Sequence, residues 1–361
     1  MNDMNARFLA KLAERKEKGS LRSLSLFDGM VDFCSNDYLS IAQTTKQTAI
    51  FTGSTGSRLI SGNSIGAVEA ESYLADFFQA EAALVFNSGY DANLGLFSSV
   101  PQKGDTVLYD ELIHASVRDG IRLSHAKAYS FRHNDLLDLQ KKFELVKEGT
   151  VFVAVESLYS MDGDFAPLRE LTDLCEQNNA LLIVDEAHAA GVFGTEGRGL
   201  MEQEQLHHRC FARLITFGKA YGTHGAVILG SHQLREYLYN FARSFIYTTA
   251  LPEAQYHHIV QNVEKTRFST SRNVLLDKIF LFRTLMKDQH LISDPLSPIQ
   301  IVPIDSLSHC LMLTQKLQNN QFAVKAILPP TVPEGGQRLR ICIHAHNTEA
   351  EIESFVQLLL Q

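Results

Sequence analysis

Cysteine is scarce in this chain and never paired. The five residues Cys34, Cys175, Cys210, Cys310 and Cys342 are odd in number, scattered over 361 positions, and without a C-x-x-C spacing. That argues against a disulfide framework and a cysteine zinc site, and for reduced thiols in a cytoplasmic setting. No apolar run approaches the length of a membrane span. The start, Met1 to Lys18, is charged and amphipathic and lacks the apolar core of a secretion signal. A positive balance of charge is also missing. A net charge of −8 with no basic block leaves no electrostatic footprint for nucleic acid. The histidines at 207/208, 257/258 and 344/346 lack helical i, i+4 partners with a carboxylate base, so no metal site is expected. What remains, at 45% apolar and 20% charged residues, is an ordinary globular composition, long enough for two domains.

The informative feature is the run Leu181-Leu-Ile-Val-Asp-Glu-Ala-His188, followed by Thr216-Phe-Gly-Lys219. An apolar run ending in a carboxylate reads as a buried parallel strand that delivers Asp185 to its carboxyl end. Open α/β sheets bind their ligands at that edge. The stretch Arg213-Leu-Ile-Thr-Phe217 delivers Lys219 in the same way. An acid and a lysine presented from neighbouring strand ends suit pyridoxal 5′-phosphate (PLP). The lysine holds the cofactor covalently, and the acid keeps the pyridine nitrogen protonated. Val184-Asp-Glu-Ala-His188 also spells a helicase Walker B segment, which requires an upstream G-x-x-x-x-G-K-[ST] loop. The Gly53 to Gly62 stretch has no Gly-Lys-Ser/Thr, and the lone Gly-Lys, Gly218-Lys219, lies downstream before an alanine. The helicase reading fails there.

Apolar stretches and helical spacings alternate from residue 67 onward. Strands are expected at 82–86, 106–109, 128–131, 151–155 and 181–184. Helices are expected at 67–79, 92–100, 115–123, 136–147, 168–178 and 234–241. Around Leu251-Pro252 the pattern changes. A long helical stretch to about Gln289 precedes a strand at 299–303, a helix at 306–317, strands at 322–327 and 338–343, and a last helix at 349–360. The expected organisation is an N-terminal segment, 1–50, packing with the small domain, a large domain over 51–255, and a small α+β domain over 256–361. An amphipathic helix is expected near Phe8 to Leu12.

Asn87-Ser-Gly-Tyr-Asp-Ala-Asn93 lies between a strand and a helix. Glycine there admits an anion to backbone amides, and the helix N-terminus adds positive dipole, so this is a phosphate cup. His114 opens the next helix and offers a flat imidazole to a pyridine ring. Glu156-Ser-Leu-Tyr-Ser160 brings a hydroxyl to the same edge, and His188 lies three residues past Asp185.

In this order the motifs Ser35-Asn-Asp-Tyr-Leu39, Gly62, Ser88-Gly-Tyr90, His114-Ala-Ser116, Ser160-Met-Asp-Gly-Asp164, Val184 to His188, Thr216 to Lys219 and Phe245-Ile-Tyr-Thr-Thr249 resemble the α-oxoamine synthases of the PLP-dependent fold type I superfamily. The likeness covers nearly the whole chain. It implies an α/β fold with a large doubly wound mixed sheet domain and a small C-terminal α+β domain. It also implies roles. Lys219 would carry PLP, Asp185 would pair with the ring nitrogen, and His188 and Ser160 would bond the ring hydroxyl region. His114 would stack on the ring. Gly89 and Tyr90 amides with the Thr216 hydroxyl would grip the phosphate. Thr248 and Thr249 resemble a hydroxyl pair that reaches the neighbouring subunit's phosphate, which implies a homodimer with shared sites. Arg340 resembles the arginine that binds an amino-acid carboxylate, a task suited to a bidentate guanidinium. Arg22 and Asn36 resemble positions at the substrate entrance.

The implied partners are an amino acid and an acyl-CoA or acyl-carrier-protein thioester. Pro329-Pro-Thr331-Val-Pro333, with Thr331 set against the acyl chain, is most similar to the biotin-pathway branch, which joins L-alanine to a pimeloyl thioester. Asp110 to Ser116 and Asp119-Gly-Ile-Arg-Leu123 are equally similar to the branch that joins glycine to acetyl-CoA and makes 2-amino-3-ketobutyrate. The segment between Leu39 and Gly53 is shorter than the family usually has.

Overall fold

The computed structural model describes residues 13, 16–18, 30–33, 37–41 and 53–361. The expected helix near residues 8–12, Arg22 and Asn36 lie outside the described residues.

The chain divides into two compact units. The larger holds described residues from 37 to 277 together with His344–His346. Its centre is a seven-stranded sheet of β2 (Ala82–Phe86), β3 (Thr106–Asp110), β4 (Lys127–Phe131), β5 (Val151–Glu156), β6 (Leu181–Asp185), β7 (Ala212–Thr216) and β8 (Ala226–Gly230), in the order β2-β8-β7-β6-β5-β3-β4. Strands β4, β3, β5, β6 and β7 run parallel, and β8 pairs antiparallel with both β7 and β2. The mixed α/β sheet is the one expected. The alternation missed one strand, β8, whose place between β2 and β7 reverses the sheet's direction at that edge.

Strand period places alternate residues on opposite faces. Leu84 and Phe86 pack with Ile183, Leu214 and Ile228 against Leu96, Phe97 and Val117. Ala83 and Val85 pack on the other face with Ile215, Val227, Leu74, Tyr256 and Ile259. Both faces are therefore covered, and each fully buried aliphatic side chain contributes roughly 1.5–3 kcal/mol. The helix Glu253–Arg267 belongs to this larger unit because Tyr256, Ile259 and Val263 complete its second face. The long helical stretch anticipated after Pro252 is two helices, Glu253–Arg267 and Ser271–Leu285. At the break Ser269 Oγ accepts from the Ser271 amide at 3.0 Å, a local bond that competes with the helical ladder.

One close approach sets the geometry of the site. The helix Ala115–Leu123 presses Gly120 onto the helix Gly89–Ser99 so tightly that a Cβ there would lie 2.8 Å from Phe97 Cβ and 3.0 Å from Asn93 O.

The smaller unit gathers residues 30–33, Lys278–Ile343 and Asn347–Gln361. Strands β9 (Ile299–Pro303), β11 (Lys325–Ile327) and β12 (Arg338–Cys342) form an antiparallel sheet in the order β11-β12-β9. Strand β1 (Val31–Asp32) pairs in parallel with β10 (Phe322–Ala323). The single strand expected over 322–327 is thus split between two sheets. Phe33 stacks on Phe355 with ring centroids 4.5 Å apart. Thr348 and Glu351 form a capping box at the start of the helix Glu349–Leu360.

Candidate active site

Strands β5 and β6 end side by side, so Glu156 and Asp185 are register partners at the carboxyl edge of the sheet. Asp185 is 7% exposed. Its Oδ1 accepts from the Ala187 amide at 2.9 Å, and its Oδ2 accepts from Asn93 Nδ2 at 2.8 Å. Asn93 also donates to Ser116 Oγ at 3.0 Å, and Ser116 Oγ lies 2.8 Å from His114 Nδ1. The Ser116 amide faces the same ring nitrogen at 3.2 Å. Nδ1 therefore acts as an acceptor, which assigns the proton to Nε2 and leaves the imidazole neutral. Burial lowers the His114 pKa and Lys219 lowers it further, against the opposing pull of Asp185.

Glu156 is fully buried, and its carboxyl is pushed up to about 8, first by burial and then by the charge of Asp185, with Lys219 opposing. Its Oε2 accepts from the Ser160 amide at 3.3 Å, and its Oε1 has no hydrogen-bond partner among the described residues. His188 Nδ1 lies 2.9 Å from the Tyr38 hydroxyl.

Lys219 follows β7 in a tight turn closed by the Gly222 amide on its carbonyl at 2.8 Å. Its charge acts on both His114 and Glu156. Thr216, at the end of β7, borders Gly89, where a Cβ would sit 3.5 Å from Thr216 Oγ1. Gly89 and Tyr90 open a helix capped by Ser88, whose Oγ accepts from the Asp91 amide. The first-turn amides there are unsatisfied within the helix and favour an anion. Tyr90 directs its hydroxyl to Asp119 at 2.6 Å. Asn87 Nδ2, just before the Ser88 cap, donates to Thr248 Oγ1 at 3.2 Å and to Thr249 O at 2.9 Å.

Lys219, Asp185, His114, Ser160, His188, Thr216, Gly89, Tyr90, Thr248 and Thr249 all belong to the larger unit. Thr331 and Arg340 belong to the smaller one. There Arg340, on β12, donates from Nη1 to Cys342 Sγ at 3.0 Å, and Thr331 is exposed. Sequence reasoning assigned no role to Asn93, Ser116 or Tyr38. Glu156 carried the same signal that exposed Asp185, an apolar run ending in an acid, yet was passed over as a flank of Ser160.

The residues present fit PLP. A buried carboxylate held by two donors suits a ring nitrogen, a neutral flat imidazole suits the ring face, and a helix N-terminus suits a phosphate. The unpartnered Glu156 oxygen and the nearby lysine are the polar groups that such a ligand would meet.

Comparison with known proteins agrees. The aminotransferase class I and II family model matches residues 28–359. The 8-amino-7-oxononanoate synthase of Emericella nidulans is 38% identical, covering 96% of this chain and 93% of the relative. That of Marinobacter nauticus is 34% identical, covering 98% and 95%. Among solved structures, serine palmitoyltransferase from S. paucimobilis superposes with a TM-score of 0.88 at 27% identity, covering 98% of this chain and 95% of the other. The 8-amino-7-oxononanoate synthase of Francisella tularensis superposes at 0.80 and 30% identity, covering 92% and 97%.

The chain therefore belongs to the aminotransferase class I and II family, with the fold type I architecture and PLP as its cofactor. Within that family it is an enzyme of the α-oxoamine synthase group, a PLP-dependent acyltransferase. Among the described residues no helix is long and apolar enough to cross a membrane.

Proposed function

We propose that the enzyme condenses L-alanine with a pimeloyl thioester, carried by CoA or an acyl carrier protein, with loss of CO2, giving 8-amino-7-oxononanoate for biotin synthesis. The observation that carries this reading is the near full-length likeness to synthases of that name at 34–38% identity, joined to the Lys219–Asp185 pair at one sheet edge. We also read it as a cytoplasmic homodimer with shared sites. Ile60 and Ile65, 87% and 75% exposed on either side of Gly62, support a second copy on that face.

PLP, when bound, supplies a conjugated electron sink for the bond electrons released at the amino-acid Cα. Lys219 takes the Cα proton, the acyl carbon bonds to Cα as its bond to the thiol breaks, the carboxylate then leaves as CO2, and Lys219 returns a proton to Cα. Asp185 holds a proton on the ring nitrogen through its carboxylate, which Asn93 and the Ala187 amide orient. His114 covers the ring face as a neutral imidazole and keeps water from it. Ser160 and His188 would orient the ring hydroxyl, and Gly89, Tyr90 and Thr216 would hold the phosphate. Thr248 and Thr249 reach the partner's phosphate. Arg340 binds the amino-acid carboxylate, with Arg22, Asn36 and Thr331 along the substrate entrance.

The likeness of shape to serine palmitoyltransferase keeps serine as a second amino acid to test, and glycine with acetyl-CoA is the 2-amino-3-ketobutyrate alternative. The deciding experiment measures kcat/KM for alanine, glycine and serine against pimeloyl, acetyl and palmitoyl thioesters. Alanine with pimeloyl thioester should lead by at least tenfold, about 1.4 kcal/mol of transition-state discrimination. Arg340→Ala should raise the KM for alanine far more than that for the thioester, because a charge-assisted bidentate pair is lost. A preference for glycine with acetyl-CoA would move the enzyme to the other branch.

A further inference from the structure

We propose that His133 is a positioning residue, an imidazolium charged at neutral pH that locks together the two loops carrying His114 and Ser160. The inference rests on the cofactor roles proposed above for those two residues.

Three strands end side by side at this part of the sheet edge, and each is followed by a loop. Asp110 closes β3, His133 follows β4, and Asp164 lies in the loop after β5. His133 Nδ1 lies 3.0 Å from Asp110 Oδ1 and 3.2 Å from Oδ2, and its Nε2 lies 2.8 Å from Asp164 Oδ2. A carboxylate offers only lone pairs, so a ring nitrogen that faces one must carry hydrogen. Both nitrogens face one, and the ring is therefore an imidazolium.

Asn134 Nδ2 also lies 3.3 Å from Nε2, but it donates at shorter range to Asp164 Oδ2 at 2.8 Å and to Phe165 O at 3.1 Å, and the remaining groups around the ring agree with the charge. Asp110 accepts from the Leu112 amide at 2.8 Å and the Asn134 amide at 2.9 Å. Asp164 accepts from Asn134 Nδ2 at 2.8 Å, and its Oδ1 has no partner among the described residues. Glu111 accepts from the His133 amide at 3.0 Å, adding a further negative charge nearby. The ring of Tyr159 meets His133 edge to face at 4.5 Å. Arg132, the adjacent cation, is engaged with Asp135 at 2.7 Å. Asn134 takes the left-handed conformation, with φ of 54°, that lets its amide reach Asp110. Burial opposes the charge, but the two carboxylates outweigh it and raise the His133 pKa to about 10.

The consequence lies in what the clamp holds. His114 sits four residues after Asp110, in a turn closed by the Ile113 amide on Asp110 O at 3.0 Å. Ser160 sits four residues before Asp164, in a loop closed by the Tyr159 amide on Asp164 O and the Gly163 amide on Tyr159 O, both at 2.9 Å. One charged ring thus ties the loop that covers the cofactor's face to the loop that reaches its edge.

The test has two parts, both on the holoenzyme. With 15N-labelled histidine, the ring signals lost in His133→Gln identify His133. They should show two protonated nitrogens at pH 8.5, where an unperturbed imidazole, of pKa about 6.5, is neutral. A ring that is neutral at that pH overturns the proposal whatever reaction the enzyme catalyses. The substrate comparison above tests the reaction independently. Second, His133→Gln should weaken PLP binding at least tenfold, read as the dissociation constant from cofactor absorbance. Adding Asp164→Asn should recover most of that loss, because a neutral glutamine can donate to Asp110 and accept from an asparagine. A single variant that binds PLP like the parent, or a double variant no better than the single, refutes the clamp. If the single variant does not fold, the double variant and the ring signals still decide.

Discussion

Asp185→Asn removes one charge without changing size, and the surroundings make its cost calculable. Both carboxylate oxygens of Asp185 already accept from donors, the Ala187 amide and the Asn93 side-chain amide. An asparagine must turn its NH2 toward one of them, placing donor against donor in a site that is 7% exposed. On the proposed assignment the same change would replace a charge-assisted bond to the ring nitrogen by a neutral one, and breaking a buried charge pair costs about 3–5 kcal/mol. At 1.36 kcal/mol per decade, roughly that loss slows proton removal at Cα by at least a hundredfold. The assay is exchange of the alanine Cα proton in deuterated solvent, followed by NMR without any thioester, so that only the first chemical act is read. Absorbance should show PLP still present, since Lys219 and the phosphate cup are untouched. Exchange slowed less than tenfold would refute the assignment of Asp185 to the ring nitrogen.

Lys219→Ala should abolish both the absorbance of covalently held cofactor and all turnover, with far-ultraviolet circular dichroism unchanged. Turnover at a substantial fraction of the parent rate would remove Lys219 from the mechanism. Arg213→Met tests stability instead. Arg213 and Glu186 are both buried and lie 3.4 Å apart, and Arg213 also donates to Phe78 O. Losing the guanidinium strands a carboxylate that burial already pushes toward its neutral form. Urea unfolding at pH 7 should show a loss of about 3–5 kcal/mol. That loss should shrink as pH falls, because a folded-state carboxyl with a raised pKa binds its proton before the unfolded one does. A loss independent of pH would mean that packing, not the stranded charge, sets the cost. For His133 the sign is opposite. Its raised pKa contributes stability that is complete below about pH 6.5 and is lost as pH rises through about 10.

Strands that end in a functional residue were the most legible elements. Val151–Glu156, Leu181–Asp185 and Ala212–Thr216 are short apolar runs, and burial on both faces of a parallel sheet requires that pattern wherever the run lies in the chain. The same logic left β8 unread. Ala226–Gly230 is an equally apolar run, but it returns antiparallel and is not followed by a residue with evident chemistry. The break in alternation at Pro252 was visible too. It marks where the strands of the large sheet stop, whereas the helix Glu253–Arg267 still covers the second face of that sheet, a fact that depends on Leu74, Val85 and Ile215 far away in sequence.

What the sequence determined by itself was the inventory: an acid and a lysine at strand ends, a glycine before a helix, a histidine after a strand. Each of these follows from local period and residue chemistry, which short-range order is enough to specify. Only the tertiary structure decided how the inventory is wired. The chain from His114 through Ser116 and Asn93 to Asp185 joins two helices and a strand. The neutral state of the His114 ring, the raised pKa of Glu156 and the charge on His133 each depend on groups brought together from several strands. Protonation states answer to burial and to the nearest charges, and both are properties of the packed sheet edge rather than of any run of residues along the chain.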